Sequence, residues 1–154
     1  MLKIDTVAPD FELQNQFGET VRLSQFRGVK PVVLVFFPLA FTGICTGELC
    51  ELRDNLGAFE QNGVELLAIS VDSKATLRAF AEQEGYQFSL LADFWPHGAV
   101  ARDYDVFLED RGIAGRATYV IDESVSIRSR FETEPGTARE ISSYLAAVQE
   151  LTAS

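Results

Sequence analysis

Three stretches of this chain run apolar without polar alternation: Val32 to Phe37, Val64 to Val71 and Thr118 to Asp122. A strand with one wet face alternates polar and apolar residues, whereas an unbroken run is expected where both faces are covered. The pattern therefore points to a central sheet with layers on either side, an α/β arrangement. Helical patterns lie between the runs. After Cys45, residues Leu49, Leu52, Leu56 and Phe59 form a single apolar helical face that stops near Asn62-Gly63. Leu77, Phe80 and Ala81 mark a second helix, opened by Asp72 or Ser73 and ended at Gly85. Thr137 and Glu140 form a capping box for a last helix that turns Ile141, Tyr144, Leu145 and Val148 inward.

Two further elements complete the reading. Val125 to Phe131 is expected to pair antiparallel with Thr118 to Asp122 across Glu123-Ser124. Near the N-terminus, Phe11-Glu12-Leu13 and Val21-Arg22-Leu23 flank Asn15-Gln16-Phe17-Gly18-Glu19, which reads as a small hairpin. A length of 154 residues fits one domain, residues 1–154. The formal net charge of −10 argues against nucleic acid or an anionic membrane as a partner, because both attract clustered Lys and Arg. No apolar segment is long enough to span a bilayer and Met1-Leu2-Lys3-Ile4-Asp5 opens no leader pattern, so a cytoplasmic location is expected.

The two cysteines, Cys45 and Cys50, follow the first apolar run. Pro38 ends that run, and Cys45 falls where the next helix should begin. A thiol there meets unpaired amide N–H groups and the positive end of the helix dipole, which favour thiolate over thiol. In a reducing compartment, cysteines so close together point to catalysis or redox chemistry rather than a structural staple. Spacing alone leaves a pair of buried free thiols equally open. Zinc would need three or four ligands, and Cys45, Cys50 and His97 exhaust the soft ones, so no metal is expected. His97, the one histidine, is assigned to a loop near a subunit contact or a helix start.

Pro38, Thr42 and Cys45 match the P-x-x-x-T-x-x-C motif, and in this the chain resembles the peroxiredoxins. Phe37-Pro38-Leu39-Ala40-Phe41-Thr42-Gly43-Ile44-Cys45 is similar to the AhpE-type branch. The likeness extends to Ala8-Pro9-Asp10-Phe11, to Asp93-Phe94-Trp95-Pro96-His97-Gly98-Ala99-Val100 and to the arginine-led strand Arg116-Ala117-Thr118-Tyr119-Val120-Ile121-Asp122. Cys50 departs from the one-cysteine AhpE type, and its spacing resembles the bacterioferritin-comigratory (PrxQ) branch.

The resemblance implies a thioredoxin-like three-layer sandwich with a central mixed sheet and an N-terminal hairpin, a homodimer, and no cofactor. It also implies a thiol peroxidase that reduces hydrogen peroxide or organic hydroperoxides through a sulfenic acid on Cys45. Arg116 is then placed beside the thiolate, and its permanently charged fork suits two successive anions. Thr42 can accept from the Cys45 amide, donate to the peroxide and cap the helix. Pro38 shields the thiolate from bulk water. Glu48, one turn beyond Cys45, can hold Arg116 or stand exposed in the first turn, where the helix dipole favours it.

Cys50 is implied as the resolving thiol, forming an intramolecular disulfide reopened by a thioredoxin-like reductant. On an unbroken helix the Cα atoms of Cys45 and Cys50 would stand roughly 8 to 9 Å apart, and a disulfide needs about 7 Å or less. Unwinding is therefore required, and Gly43 and Gly47 lower its cost. Two enzymatic alternatives remain. One is a one-cysteine peroxidase with an inert Cys50, recycled by a low-molecular-weight thiol or a mycoredoxin-like partner. The other is a thioredoxin-like disulfide exchanger, disfavoured by C-x4-C spacing and by the lack of proline before Ala117. A non-enzymatic thioredoxin-fold interaction module is the alternative from another class.

Overall fold

The computed structural model describes residues 1–153. The chain begins with β1 (Glu12–Gln14) and β2 (Thr20–Arg22), paired antiparallel as the expected hairpin. A 3-10 turn, Leu23–Phe26, leads to β3 (Val32–Phe36), and then to α1 (Gly43–Asp54), α2 (Leu56–Gln61) and β4 (Glu65–Ser70). Next come α3 (Lys74–Glu84), β5 (Ser89–Ala92), α4 (Ala99–Asp103) and the short hairpin of β6 (Phe107–Leu108) and β7 (Ile113–Ala114). The last elements are β8 (Arg116–Ile121), β9 (Ile127–Thr133) and α5 (Ile141–Ala153).

Five strands form the central sheet in the order β5-β4-β3-β8-β9. β3, β4 and β5 run parallel, while β8 is antiparallel to both β3 and β9. All five residues of β3 and all six of β8 are buried, as their unbroken apolar runs require. Side chains alternate between two cores. Val33, Val35 and Val120 join Leu49, Phe59, Leu77 and Val148 from α1, α2, α3 and α5. Leu34, Phe36 and Tyr119 join Phe11, Val100 and Tyr104 on the opposite side. This is the thioredoxin-like mixed sandwich.

The structure departs from the sequence expectations in four places. The helix expected to run from Cys45 to Asn62 is two helices, because Asn55 bonds back to the Glu51 carbonyl through its side-chain amide (2.8 Å) and ends α1. Leu52 and Phe59 still reach the same core across the break. α3, by contrast, begins and ends as expected: Ser73, one of its two candidate openers, is the cap, accepting from the Thr76 amide, while Asp72 holds the Ala40 amide (2.8 Å). The final helix starts at Ile141, so Thr137 and Glu140 do not form its capping box; the Thr137 carbonyl instead accepts from Thr133 Oγ1. Ala147 takes the inward role expected of Leu145, which is only half-buried.

The fourth difference is what the sequence reading left out: β5, α4 and the β6–β7 hairpin. β5 lies at the sheet edge, where unpaired main-chain groups need partners. Buried Gln16, from the N-terminal hairpin, donates to the Phe88 carbonyl (3.0 Å) and accepts from the Leu90 amide (2.8 Å), standing in for a sixth strand. α4 is capped by Asp93, whose two carboxylate oxygens accept from the amides of Val100 (3.1 Å) and Ala101 (2.9 Å). Burial raises the Asp93 pKa above the ordinary carboxylate value, against the pull of those amides.

Candidate active site

β3 delivers the chain to Pro38, and the segment after it folds back before α1. Phe41 takes a left-handed conformation at φ 63°, its ring 4.9 Å from that of Phe80, and Asp72 holds the Ala40 amide. Thr42 then stands in the N-cap position with extended backbone, and its carbonyl accepts from the Thr46 amide (2.9 Å). Its hydroxyl does not accept from the Cys45 amide as expected. The turn through Phe41 brings the hydroxyl back to the Leu39 carbonyl, to which it donates at 2.8 Å.

Cys45 is the third residue of α1 and is fully buried. Arg116, 71 residues away in sequence, donates to its sulfur from Nη2 at 3.1 Å. Strand register explains the meeting. Phe36 pairs with Ala117, so Arg116 lies one step past the end of β3, level with the segment that leads to Cys45. Pleating turns Arg116 and Thr118 toward the helices that carry Cys45 and Tyr144.

The guanidinium is held at its other nitrogens too. Nε donates to the Pro135 carbonyl (2.7 Å) and Nη1 to Glu48 Oε1 (3.2 Å). Glu48 itself is buried and shared. Arg139 donates to it from its main-chain N–H and from Nη2, and from Nε at 3.0 Å. Arg139 also donates to Thr118 Oγ1 (3.0 Å), so the two arginines and Glu48 form one buried network anchored on β8, α1 and the approach to α5. Among the described residues, no buried side-chain nitrogen or oxygen lacks a partner.

Sequence reasoning missed Arg139, although a signal existed. It lies two residues before α5, where the positive end of the helix dipole disfavours a cation, so its charge needs a partner elsewhere.

Beside Cys45, which is fully buried and does not itself line it, a depression of about 420 Å³ opens against Thr42 and Arg116. Pro38, Leu39, Ile44 and Ile113 make it apolar, while Thr42, Arg111 and Arg116 add polar groups. A larger hollow of about 520 Å³, lined by Leu13, Lys74, Phe94 and Trp95, contains none of the residues around Cys45.

Cys50 is not brought to Cys45. Both are free thiols on an unbroken α1, and Cys50 Sγ faces Glu84 Oε2 (3.6 Å) and the Tyr86 hydroxyl (3.4 Å). His97 is exposed in the turn before α4 and bonds the Gly112 carbonyl through Nε2 (2.7 Å), apart from the Cys45 cluster. Among the described residues, no group of His, Cys, Asp and Glu gathers in a metal-holding arrangement, and no helix is long and apolar enough to cross a membrane.

A model of the AhpC/TSA family matches residues 4–130. The chain belongs to this family. It is 50% identical over 153 residues to alkyl hydroperoxide reductase E of Mycobacterium tuberculosis, a match covering 99% of this chain and 100% of the relative. It is 35% identical over 147 residues to the chloroplastic peroxiredoxin Q of Triticum aestivum, covering 95% of this chain and 66% of that one. The crystal structure of peroxidoxin BcpB from Mycobacterium tuberculosis superposes with a TM-score of 0.87 at 29% identity, covering 98% of this chain and 99% of that one. This peroxiredoxin is thus an oxidoreductase, a thiol-dependent peroxidase. Neither the disulfide exchanger nor the non-enzymatic module is favoured.

Proposed function

We propose that Cys45 is the peroxidatic thiol, reducing hydrogen peroxide or an organic hydroperoxide to water or alcohol. The observation that carries this assignment is the Arg116 guanidinium donating to Cys45 Sγ at 3.1 Å. In the reaction the thiolate attacks one peroxide oxygen. The S–O bond forms as the O–O bond breaks, the departing oxygen takes up a proton, and Cys45 becomes a sulfenic acid.

Arg116 serves both stages. With Nε and Nη1 fixed by Pro135 and Glu48, its Nη2 is committed to the sulfur and lies where the leaving oxygen develops charge. Charge balance supports the anionic form of the nucleophile. Two guanidiniums and one carboxylate leave the buried network with a surplus positive charge, which a thiolate on Cys45 cancels. Thr42 has its own proton engaged on Leu39, so its oxygen offers lone pairs to the peroxide O–H and orients it, the reverse of the donor role expected from sequence. Pro38 walls the entrance with Leu39 and Ile44.

Cys50 then acts as the resolving thiol. Its sulfur displaces the hydroxyl of the sulfenic acid, the S–S bond forms, and water leaves with the Cys50 proton. Gly47 within the intervening turn eases the unwinding this needs. A thioredoxin-like or mycoredoxin-like dithiol reopens the bond. A cytoplasmic, one-domain homodimer completes the reading; the exposed pair Phe94 (53%) and Trp95 (81%) supports the dimer. A second reading has one observation in its favour: Cys50 points at Glu84 and Tyr86, as an inert thiol would in a one-cysteine peroxidase recycled by a low-molecular-weight thiol.

Single-turnover assays under reducing conditions test the assignment. Cys45→Ser should abolish peroxide consumption while Cys50→Ser keeps the first turnover; undiminished consumption by Cys45→Ser would sink it. With stoichiometric peroxide, mass spectrometry should find a Cys45–Cys50 bond. Added oxygen on Cys45, or a mixed disulfide with an added small thiol, would favour the one-cysteine route instead.

A further inference from the structure

Tyr86 follows Gly85, the left-handed residue that ends α3, and is 4% exposed. Its ring meets Phe80 edge-on at 5.1 Å and stacks on Phe88 at 5.3 Å, so the hydroxyl stands on a rigid post. That hydroxyl donates to the Thr46 carbonyl (3.2 Å) and touches Cys50 Sγ (3.4 Å). Both contacts fall within the segment that must change shape before Cys45 and Cys50 can bond.

The same segment is held from its other side, where Arg116 holds Cys45 and Arg116 with Arg139 holds Glu48. Those contacts belong to the peroxide step. Tyr86 touches neither Cys45 nor the arginines in any of its hydrogen bonds; its hydroxyl meets α1 at the Thr46 carbonyl and at the Cys50 thiol. We infer that the Tyr86 hydroxyl is a latch on α1 that sets how readily the Cys45–Cys50 segment unwinds, a positioning residue for the resolving step.

The kinetic consequence rests on Cys50 being the resolving thiol. A sulfenic acid on Cys45 can be trapped by Cys50 or attacked by a second peroxide, which adds a further oxygen and gives a sulfinic acid. A latch that delays unwinding gives the second peroxide more time. Burial, and next the Cys50 contact, raise the Tyr86 pKa above the ordinary phenol value, so the group remains a donor at working pH.

Tyr86→Phe keeps the ring packing and removes the hydroxyl. One hydrogen bond is worth about 1 kcal/mol, so the opening equilibrium should rise about fivefold. Hydrogen exchange of the reduced protein reads this directly: the amides from Gly47 to Cys50 should exchange about fivefold faster in the variant, with those of β4 unchanged. Equal exchange in the segment, or a parallel rise in β4, would overturn the latch whatever Cys50 does.

Graded hydrogen peroxide with mass spectrometry then reads the partition. The variant should give more disulfide and less sulfinic acid than the wild type; an unchanged ratio with disulfide present would overturn the kinetic role. Faster exchange with no disulfide in either protein would support the latch and reject Cys50 as the resolving thiol.

Discussion

Glu48 receives three donors from Arg139 and one from Arg116, so the direction in which Arg116 points depends on a residue that never touches Cys45. Arg139→Gln should therefore act twice. Removing one charge from a buried network should lower stability by about 3 kcal/mol, seen as a lower denaturant midpoint. Freed from sharing Glu48, Arg116 should shift off the sulfur. A displacement of about 1 Å in a positioned group can cost about a hundredfold, so Cys45 oxidation followed by stopped-flow should slow by at least about tenfold. Arg139→Lys should not rescue it, because an ammonium cannot supply the fork that spans both Glu48 oxygens. At this scale the places of Cys45, Thr42, Arg116 and Pro38 could be read from a local motif or the head of a strand, although the direction of the Thr42 hydroxyl could not. Arg139 and Tyr86 were not legible, since their partners lie on other elements.

The vestibule depends on how the β6–β7 hairpin, which carries Arg111 and Ile113 near its tip, docks on α4. Gly98, the residue before α4, lies at φ 70°, and a Cβ there would overlap the Phe107 ring of β6. Arg102 of α4 stacks over the same ring at 4.0 Å. Gly98→Ala should cost about 2 to 4 kcal/mol from left-handed strain and repacking. By displacing Phe107 it should also move the vestibule wall. Second-order rate constants for a bulky organic hydroperoxide should then fall more than that for hydrogen peroxide; an equal change for both would disconnect the hairpin from substrate entry. Long periodic elements such as α3 were legible down to their caps. β5 and α4 were not, because four or five residues carry too little pattern, and what makes them form is the Gln16 side chain and the Asp93 cap.

The four tyrosines report on the molecule as a whole. Burial is the leading cause that raises the pKa of Tyr86, Tyr104, Tyr119 and Tyr144, with Tyr144 pushed up to about 12. A raised folded pKa means that the folded state holds the proton more tightly than the unfolded chain does. The associated stability is fully present below the unfolded value of about 10 and is lost as pH rises toward the folded values. Phenolate absorbance should therefore stay low through pH 10 and then rise together with loss of near-ultraviolet circular dichroism, as one cooperative transition. Four separate titrations in a protein that remains folded would contradict this. Tyr104 and Tyr119 lie in one core and Tyr86 and Tyr144 in the other, so a single transition would also show that the two faces of the sheet melt together.

The order of residues along the chain was enough to determine an α/β sandwich, the strand runs, the position of Cys45 at a helix start and the identity of its arginine partner by resemblance. All but the arginine, which came from the likeness to a family, are local: apolar periodicity, a proline stop and a short motif are set by neighbours within a few residues. Tertiary structure decided the rest. The antiparallel register of β3 and β8 carries Arg116 to the sulfur, the coil before α5 delivers Arg139 to Glu48, and the end of α3 sets Tyr86 against Thr46 and Cys50. Each of these pairs is separated by dozens of residues, and only the packing of helices onto a shared sheet fixes which of many possible partners a buried polar group finds.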